Sequence, residues 1–76
     1  MKIYYDSVVD ALYIELRPLK EGTAVSKDLN DEITGNFGPD GKIAGLEILD
    51  ASKILGNNLF NISFEIPQPI ARLNNP

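Results

Sequence analysis

The side chains that could do chemistry in this chain are carboxylates, hydroxyls, tyrosines and lysines. The sequence has no histidine and no cysteine. Histidine is the usual general base near neutral pH and the commonest transition-metal ligand, and cysteine supplies thiolate nucleophiles and zinc ligands. The composition therefore excludes imidazole and thiolate catalysis and thiolate zinc sites.

Acidic residues cluster in two predicted turns. Asp6 and Asp10 lie at the ends of one turn, and Asp28, Asp31 and Glu32 lie around another. Carboxylate oxygens are the ligands that Mg²⁺ and Ca²⁺ prefer, so either cluster could hold a metal ion. The spacing matches no calcium-binding loop, however, and aspartate is common in turns because its side chain accepts backbone hydrogen bonds there. We therefore predict turn residues at both places, with no metal site and no cofactor.

Glu15 and Glu47 would form a carboxylate pair if their strands were neighbours. A general acid and base also need a pocket that holds a substrate, and the sequence places none beside them. We therefore assign no catalytic residue and favour a protein that is not an enzyme. A small carboxylate-dependent or divalent-metal-dependent enzyme is the alternative.

Length and charge narrow the class of protein. A chain of 76 residues forms one domain, and at that size only about 60% of the unfolded surface can be buried, which favours self-association. The net charge of −4 and the scattered lysines and arginines oppose binding to nucleic acid. No apolar run reaches the roughly 20 residues of a membrane span, and acidic residues come too early for a signal peptide. We expect a cytoplasmic protein with no nucleic-acid or membrane partner.

Alternation of apolar and polar residues with a period of two predicts strands. It predicts them over residues 2–5, 11–16, 23–29, 32–37 and 43–49, with a further alternating segment over 59–66. Gly38 to Gly41, with Pro39 and Asp40 between them, predicts a hairpin turn. An interior glycine such as Gly45 usually indicates a bulge or a close neighbour. The pattern predicts an α+β fold, an antiparallel meander of four to five strands with one short helix packed on one face.

The helix is predicted over residues 51–55. Asp50 is a suitable N-cap residue and Gly56 a suitable stop. Two turns are too short to be stable alone, so Ile54 and Leu55 must dock the helix on the sheet.

The strand alternation also predicts which side chains share a face. Leu12, Ile14, Leu46 and Ile48 would face the helix. The opposite face would carry polar and aromatic residues: Tyr4, Tyr13, Glu15, Thr34, Asn36 and Glu47. One short helix covers one face only, and tyrosine is favoured at protein interfaces. The face is either an ordinary solvated surface or a partner-binding surface formed by Tyr4, Tyr13, Glu15 and Glu47.

The last alternating segment presents Phe60, Ile62, Phe64 and Ile66 on one side. So small a core has little room for four more large apolar side chains. We predict that these four side chains, including Phe60 and Phe64, pack across a two-fold axis or that the segment pairs with the sheet of a second copy, giving a homodimer. Pro67 and Pro69 end the segment, so the domain is predicted over residues 1–66, with an arm or tail over 67–76.

Two motifs carry a resemblance to a family. Residues 5–14 read Tyr-Asp-x-x-x-Asp-x-Leu-Tyr-Ile, and residues 45–52 read Gly-x-Glu-Ile-Leu-x-Ala-Ser. The chain resembles, over about residues 1–53, the small YuzE-like bacterial proteins classed as domain of unknown function 2283. Val9 stands where members often have alanine, and Leu46 where they often have isoleucine.

The resemblance implies a compact antiparallel sheet with one helix and no catalytic residues to carry over. Some relatives look like partners of small toxin-like proteins, which implies an antitoxin-like or regulatory role. The sequence and the resemblance together favour a non-catalytic protein-interaction or regulatory module that binds a protein partner or itself.

Overall fold

The computed structural model describes residues 1–68. Its elements, in chain order, are β1 (Lys2–Asp6), β2 (Ala11–Glu15), β3 (Val25–Asp28), β4 (Ile33–Phe37), β5 (Ile43–Ile48), α1 (Ala51–Leu55) and a 3-10 helix (Gly56–Phe60). The five strands and α1 agree with the sequence-based predictions to within one or two residues at each end. The α+β class is confirmed.

The five strands form one antiparallel sheet with the order β1-β2-β5-β4-β3. A continuous meander would place β3 beside β2, whereas here β5 lies between β2 and β4. A two-stranded hairpin (β1–β2) and a three-stranded meander (β3–β4–β5) therefore meet along the β2–β5 pair. In that pair Leu12 lies opposite Ile48, and Ile14 lies opposite Leu46.

The core lies where α1 and the 3-10 helix pack on the sheet. The buried hydrophobic residues of the described chain are mostly small: Ala11, Leu12, Ala44, Ala51 and Leu59. Leu12, Ala51 and Leu59 form the central cluster, and Ile14 and Ile48 pack against it as half-buried neighbours. The predicted apolar face is confirmed, but Leu12 is the one member of the predicted set of four that is buried.

The β3–β4 part of the apolar face is covered by its own side chains. The Phe37 ring lies over Gly35, where an added Cβ would stand 2.9 Å from a ring carbon. The Lys27 ammonium lies 5.2 Å from the centre of the same ring, which is a cation–π distance. An aromatic ring over a strand glycine, with a lysine above it, shields this part of the sheet without a helix.

The predicted strand over residues 59–66 is wrong. Residues 56–60 form the 3-10 helix, and residues 61–66 have no regular secondary structure. Gly56, with φ of 56°, ends α1, and the chain then continues in a tight turn that buries Leu59 against Leu12 and Ala51. Phe60 is 77% exposed as a result. The strand prediction assumed an extended chain from Leu59 onward, and the 3-10 helix removes that extension at Leu59 and Phe60.

No helix within residues 1–68 is long and apolar enough to cross a membrane. Residues 69–76, which make up most of the predicted C-terminal tail, lie outside the described part of the chain.

Candidate functional site

The sheet side opposite α1 brings four of the predicted partner-binding residues together. Tyr4 of β1 lies opposite Tyr13 of β2, and Tyr13 lies opposite Glu47 of β5. Glu15 points to the same side, two residues after Tyr13, because side chains in a strand alternate between faces. We call Tyr4, Tyr13, Glu15 and Glu47 the polar-aromatic face. The two tyrosine rings are 5.9 Å apart, centre to centre, with an angle of 41° between their planes.

The electrostatic character of the polar-aromatic face is negative. The charge of Glu47 is the main cause that raises the pKa of the Tyr13 hydroxyl, with partial burial and Asp6 adding to it. The strand registers place four carboxylates on this side of the sheet: Asp6, Glu15, Asp28 and Glu47. Among the strand residues on this side, Lys2 is the one with a positive charge. Within residues 1–68 the one ion pair joins Arg17 to Asp40. Neither Glu15 nor Glu47 therefore forms an ion pair in this part of the chain.

A cleft of about 360 Å³ opens beside Tyr13 and Glu15. Its other lining residues come from the β2–β3 connection, from β4 and from β5, and they include Arg17, Leu19, Ala24, Asn36 and Gly45. Gly45 has no side chain to fill this space. An added Cβ at Gly45 would lie 3.0 Å from the backbone oxygen of Ile14, so the β2 and β5 backbones approach closely here.

A β-bulge next to Gly45 explains the shape of this cleft. Asn36 lies opposite Gly45 and Phe37 lies opposite Ile43, which leaves Ala44 as the extra residue on β5. The Ala44 carbonyl accepts hydrogen bonds from the amides of both Leu16 and Arg17, at 2.8 and 3.1 Å. The bulge therefore ties the β2–β3 connection to the sheet and confirms the close approach predicted from the interior glycine.

Arg17 is held as part of the cleft wall. Its guanidinium group donates to the Asp40 carboxylate at 2.7 Å and to the backbone oxygens of Lys42 and Ile43 at 2.9 and 3.2 Å. The hydrogen bond from Arg17 lowers the pKa of the Asp40 carboxyl group. The positive charge of Arg17 is therefore already paired, and the other charged residue that lines the cleft within residues 1–68 is Glu15.

Asp10 caps α1, and the prediction that Asp50 does so is wrong. One Asp10 carboxylate oxygen accepts hydrogen bonds from the Tyr5 hydroxyl at 2.7 Å and from the Ser52 amide at 3.0 Å. The other accepts from the Ser52 hydroxyl at 2.7 Å. Asp50 has φ of 51° and makes no side-chain hydrogen bond to the helix, because a side-chain cap normally requires an extended backbone at that position.

These hydrogen bonds change the acidity of both partners. The Tyr5 hydroxyl, followed by Ser52, lowers the pKa of the Asp10 carboxyl group, because each donor stabilises the carboxylate. The same Asp10 carboxylate raises the pKa of Tyr5. The Tyr5–Asp10–Ser52 cluster is thus satisfied internally and fixes the start of α1 against the β1–β2 turn.

Three of the five acidic turn residues, Asp6, Asp10 and Asp28, accept hydrogen bonds from the backbone or from a neighbouring side chain. Asp6 accepts from the Val8 amide at 3.0 Å, and Asp28 accepts from the Thr34 hydroxyl at 3.2 Å. Within the described residues, no group of three or more acidic side chains is arranged to hold a metal ion.

Phe60 and Phe64 lie apart from the polar-aromatic face. Phe60 packs edge-on against the Tyr5 ring, 6.2 Å away, on the side of the sheet that carries α1. Phe64 is 83% exposed. The six predicted partner-binding residues therefore form two separate surfaces. The sequence analysis missed Arg17 as a cleft residue because its position depends on the β2–β3 connection, which has no periodic signal.

Asp10 and Ser52 come from the two motifs that carry the family resemblance, and the structure joins those motifs directly. The family model for a protein of unknown function, DUF2283, matches residues 2–52. The chain has no match among curated proteins or among solved structures. The matched segment contains β1 to β5 and the start of α1, which is two thirds of the chain, and the chain therefore belongs to the DUF2283 family.

Proposed function

We propose that this protein is a non-catalytic protein-interaction module of the cytoplasm that associates with itself through its C-terminal segment. We call residues 60–66 the apolar arm. The observation that carries the proposal is the exposure of this arm: Phe60, Ile62 and Phe64 are 77%, 64% and 83% exposed. Burial of each such side chain is worth roughly 1.5–3 kcal/mol, so a second apolar surface would bind the arm strongly.

A groove next to the start of the arm is suited to receive apolar side chains. It has a volume of about 370 Å³, and its apolar lining residues are Ile3, Leu12, Ile14, Leu55, Leu59 and Ile62. The sheet side of the groove is formed by Ile3 of β1 and by Leu12 and Ile14 of β2. Within residues 1–68, β1 pairs with β2 alone and so has one free edge. Exposed edges of sheets are common sites of association. Two copies related by a two-fold axis would cover each other's arms and grooves.

Sedimentation of the full-length protein tests self-association. We expect the wild type to be a dimer at micromolar concentration and Phe64→Glu to be a monomer, because a carboxylate would be buried without a partner in the interface. Val8→Glu is the matched control, since Val8 is 91% exposed in the β1–β2 turn and lies outside the arm. A wild-type protein that sediments as a monomer, or equal dissociation by both variants, contradicts the proposal.

The polar-aromatic face is the second surface in this proposal and would bind a different protein. It is a sheet side that α1 leaves uncovered, and it presents two tyrosine rings at the distance of an aromatic pair. A regulatory role, of the antitoxin-like kind that the family resemblance implies, would use this face for the partner and the apolar arm for self-association.

A further inference from the structure

We propose that the polar-aromatic face binds a basic segment of a partner protein, with an arginine side chain between the tyrosine rings and the glutamate carboxylates. This inference deepens the proposed function and rests on it. The face joins two features that recognise cations: aromatic rings, and carboxylates that form no ion pair within residues 1–68. Neither feature alone would distinguish this face from an ordinary solvated sheet surface.

The aromatic part of the argument is geometric. The Tyr4 and Tyr13 rings lie side by side, 5.9 Å apart, and Tyr4 is more than half exposed. A guanidinium group is attracted to the face of a tyrosine ring within about 6 Å of its centre, and arginine forms this contact more often than lysine. The flat guanidinium group also stacks on such rings while its nitrogen atoms remain free to donate hydrogen bonds.

The carboxylates complete the recognition. Glu47 lies directly opposite Tyr13, and Glu15 is two residues further along β2 on the same side. Neither is in an ion pair within residues 1–68, and the nearby Arg17 is held by Asp40. A planar carboxylate accepts two parallel hydrogen bonds from arginine, which makes this pairing stronger and more specific than one with an ammonium group.

The cleft beside Tyr13 gives the rest of the segment a place to lie. Tyr13, Glu15, Leu19, Asn36 and Gly45 are among its lining residues, so a short extended peptide that places its arginine over Tyr13 could enter it with a neighbouring residue. The net charge of −4 would favour encounter with a basic partner. These features favour a protein segment over a free small cation, which would use the rings and carboxylates but not the cleft.

A titration followed by amide NMR tests the proposal on the full chain. The probe is a blocked peptide, Gly-Arg-Gly-Arg-Gly, and its control replaces both arginines with citrulline, which has the same shape without the charge. We expect the arginine peptide to shift the amides of Tyr4, Tyr13, Glu15 and Glu47, and the citrulline peptide to shift none. Equal shifts from the two peptides would overturn the proposal.

Variants identify the residues that bind the peptide. Glu47→Gln and Tyr13→Leu should each weaken binding by about two-fold to five-fold, the range for an exposed charge pair or cation–π contact. Asp31→Asn, which removes the same charge from an exposed turn, should leave affinity unchanged. Equal weakening by Asp31→Asn would indicate general attraction to an acidic protein and would contradict a site.

Two further measurements separate this inference from its alternatives. Arginine amide should bind at least several-fold more weakly than the peptide, because it cannot occupy the cleft. If the two ligands have equal affinity per guanidinium group, the face is a site for a free cation and not a docking surface for a protein segment. Glu47→Gln should sediment like the wild type, because Glu47 lies away from the apolar arm. If the wild type dimerises but does not bind the peptide, the inference about the polar-aromatic face has failed. If it binds the peptide but is a monomer, the proposal of self-association has failed.

Discussion

The Ser52 amide and hydroxyl both donate to the carboxylate of Asp10, at 3.0 and 2.7 Å, although the two residues are 42 positions apart in the chain. The Ala51 amide also donates to the Asp10 backbone oxygen at 3.0 Å. The β1–β2 turn thus supplies the hydrogen-bond acceptors for the start of α1. A cap from a distant part of the chain stabilises the helix and fixes its position on the sheet at the same time.

The first prediction compares the two aspartates near the start of α1. Asp10→Ala should lower the midpoint of thermal unfolding by about 4–8 °C or more, because it removes the helix cap and also places alanine at a φ of 53°. Asp50→Gly should leave the midpoint unchanged or raise it, because glycine adopts positive φ without strain. Thermal melts followed by circular dichroism measure both. A larger loss in Asp50→Gly than in Asp10→Ala would restore Asp50 as the cap.

The second prediction concerns acid. The folded-state pKa of Asp10 is lowered, so its stabilising effect is fully present above its unfolded pKa of about 4 and is lost as the pH falls through the folded pKa. Asp10→Asn cannot lose that contribution by protonation. Urea unfolding between pH 6 and pH 2 should therefore show a shallower loss of stability in the variant than in the wild type.

Asp40 should contribute to the same acid dependence, since the hydrogen bond from Arg17 lowers its pKa as well. Asp40→Asn should flatten the pH profile by itself, and the double variant should be flatter than either single one. Profiles of Asp10→Asn and the wild type that run parallel would show that the Tyr5–Asp10–Ser52 cluster is not maintained in solution.

The third prediction compares two leucines of the predicted apolar face. Leu12 is buried in the central cluster with Ala51 and Leu59, so Leu12→Ala should cost about 2–5 kcal/mol. Leu46 is half-buried and lies outside that cluster, so Leu46→Ala should cost clearly less. Urea unfolding gives both free energies. Equal costs would show that a second layer covers Leu46, for instance the arm of another copy.

The fourth prediction concerns Gly45. Gly45→Ala places a methyl group 3.0 Å from the Ile14 backbone oxygen in the centre of the sheet, where a strand must move to make room. We expect a loss of about 1–3 kcal/mol, typical of overpacking. Gly45→Ala should also change the amide NMR signals of Ile14 and Glu15. A variant as stable as the wild type, with unchanged signals, would contradict the close approach of β2 and β5.

The strands and their faces could be predicted because alternation is a local signal that burial of one face imposes on the sequence. Leu12, Ile14, Tyr13 and Glu47 were placed on the correct sides for this reason. The cap could not be predicted, because Asp10 is 42 residues from Ser52 in the chain and only the tertiary structure brings its carboxylate to the start of α1. Residues 59–66 were predicted as a strand because Phe60, Ile62, Phe64 and Ile66 alternate with polar residues. Local alternation does not reveal that a tight turn buries Leu59 instead.

The strand order has a consequence for how the chain folds. The β1–β2 hairpin and the β3–β4–β5 meander are each built from contacts between neighbouring segments, whereas the β2–β5 pair joins residues 12–15 to residues 45–48. Contacts that close long loops form late and limit the folding rate. The two local units should therefore assemble first and dock along β2 and β5. Because the Asp10–Ser52 hydrogen bonds cross the same boundary, α1 should gain its cap only when that docking is complete.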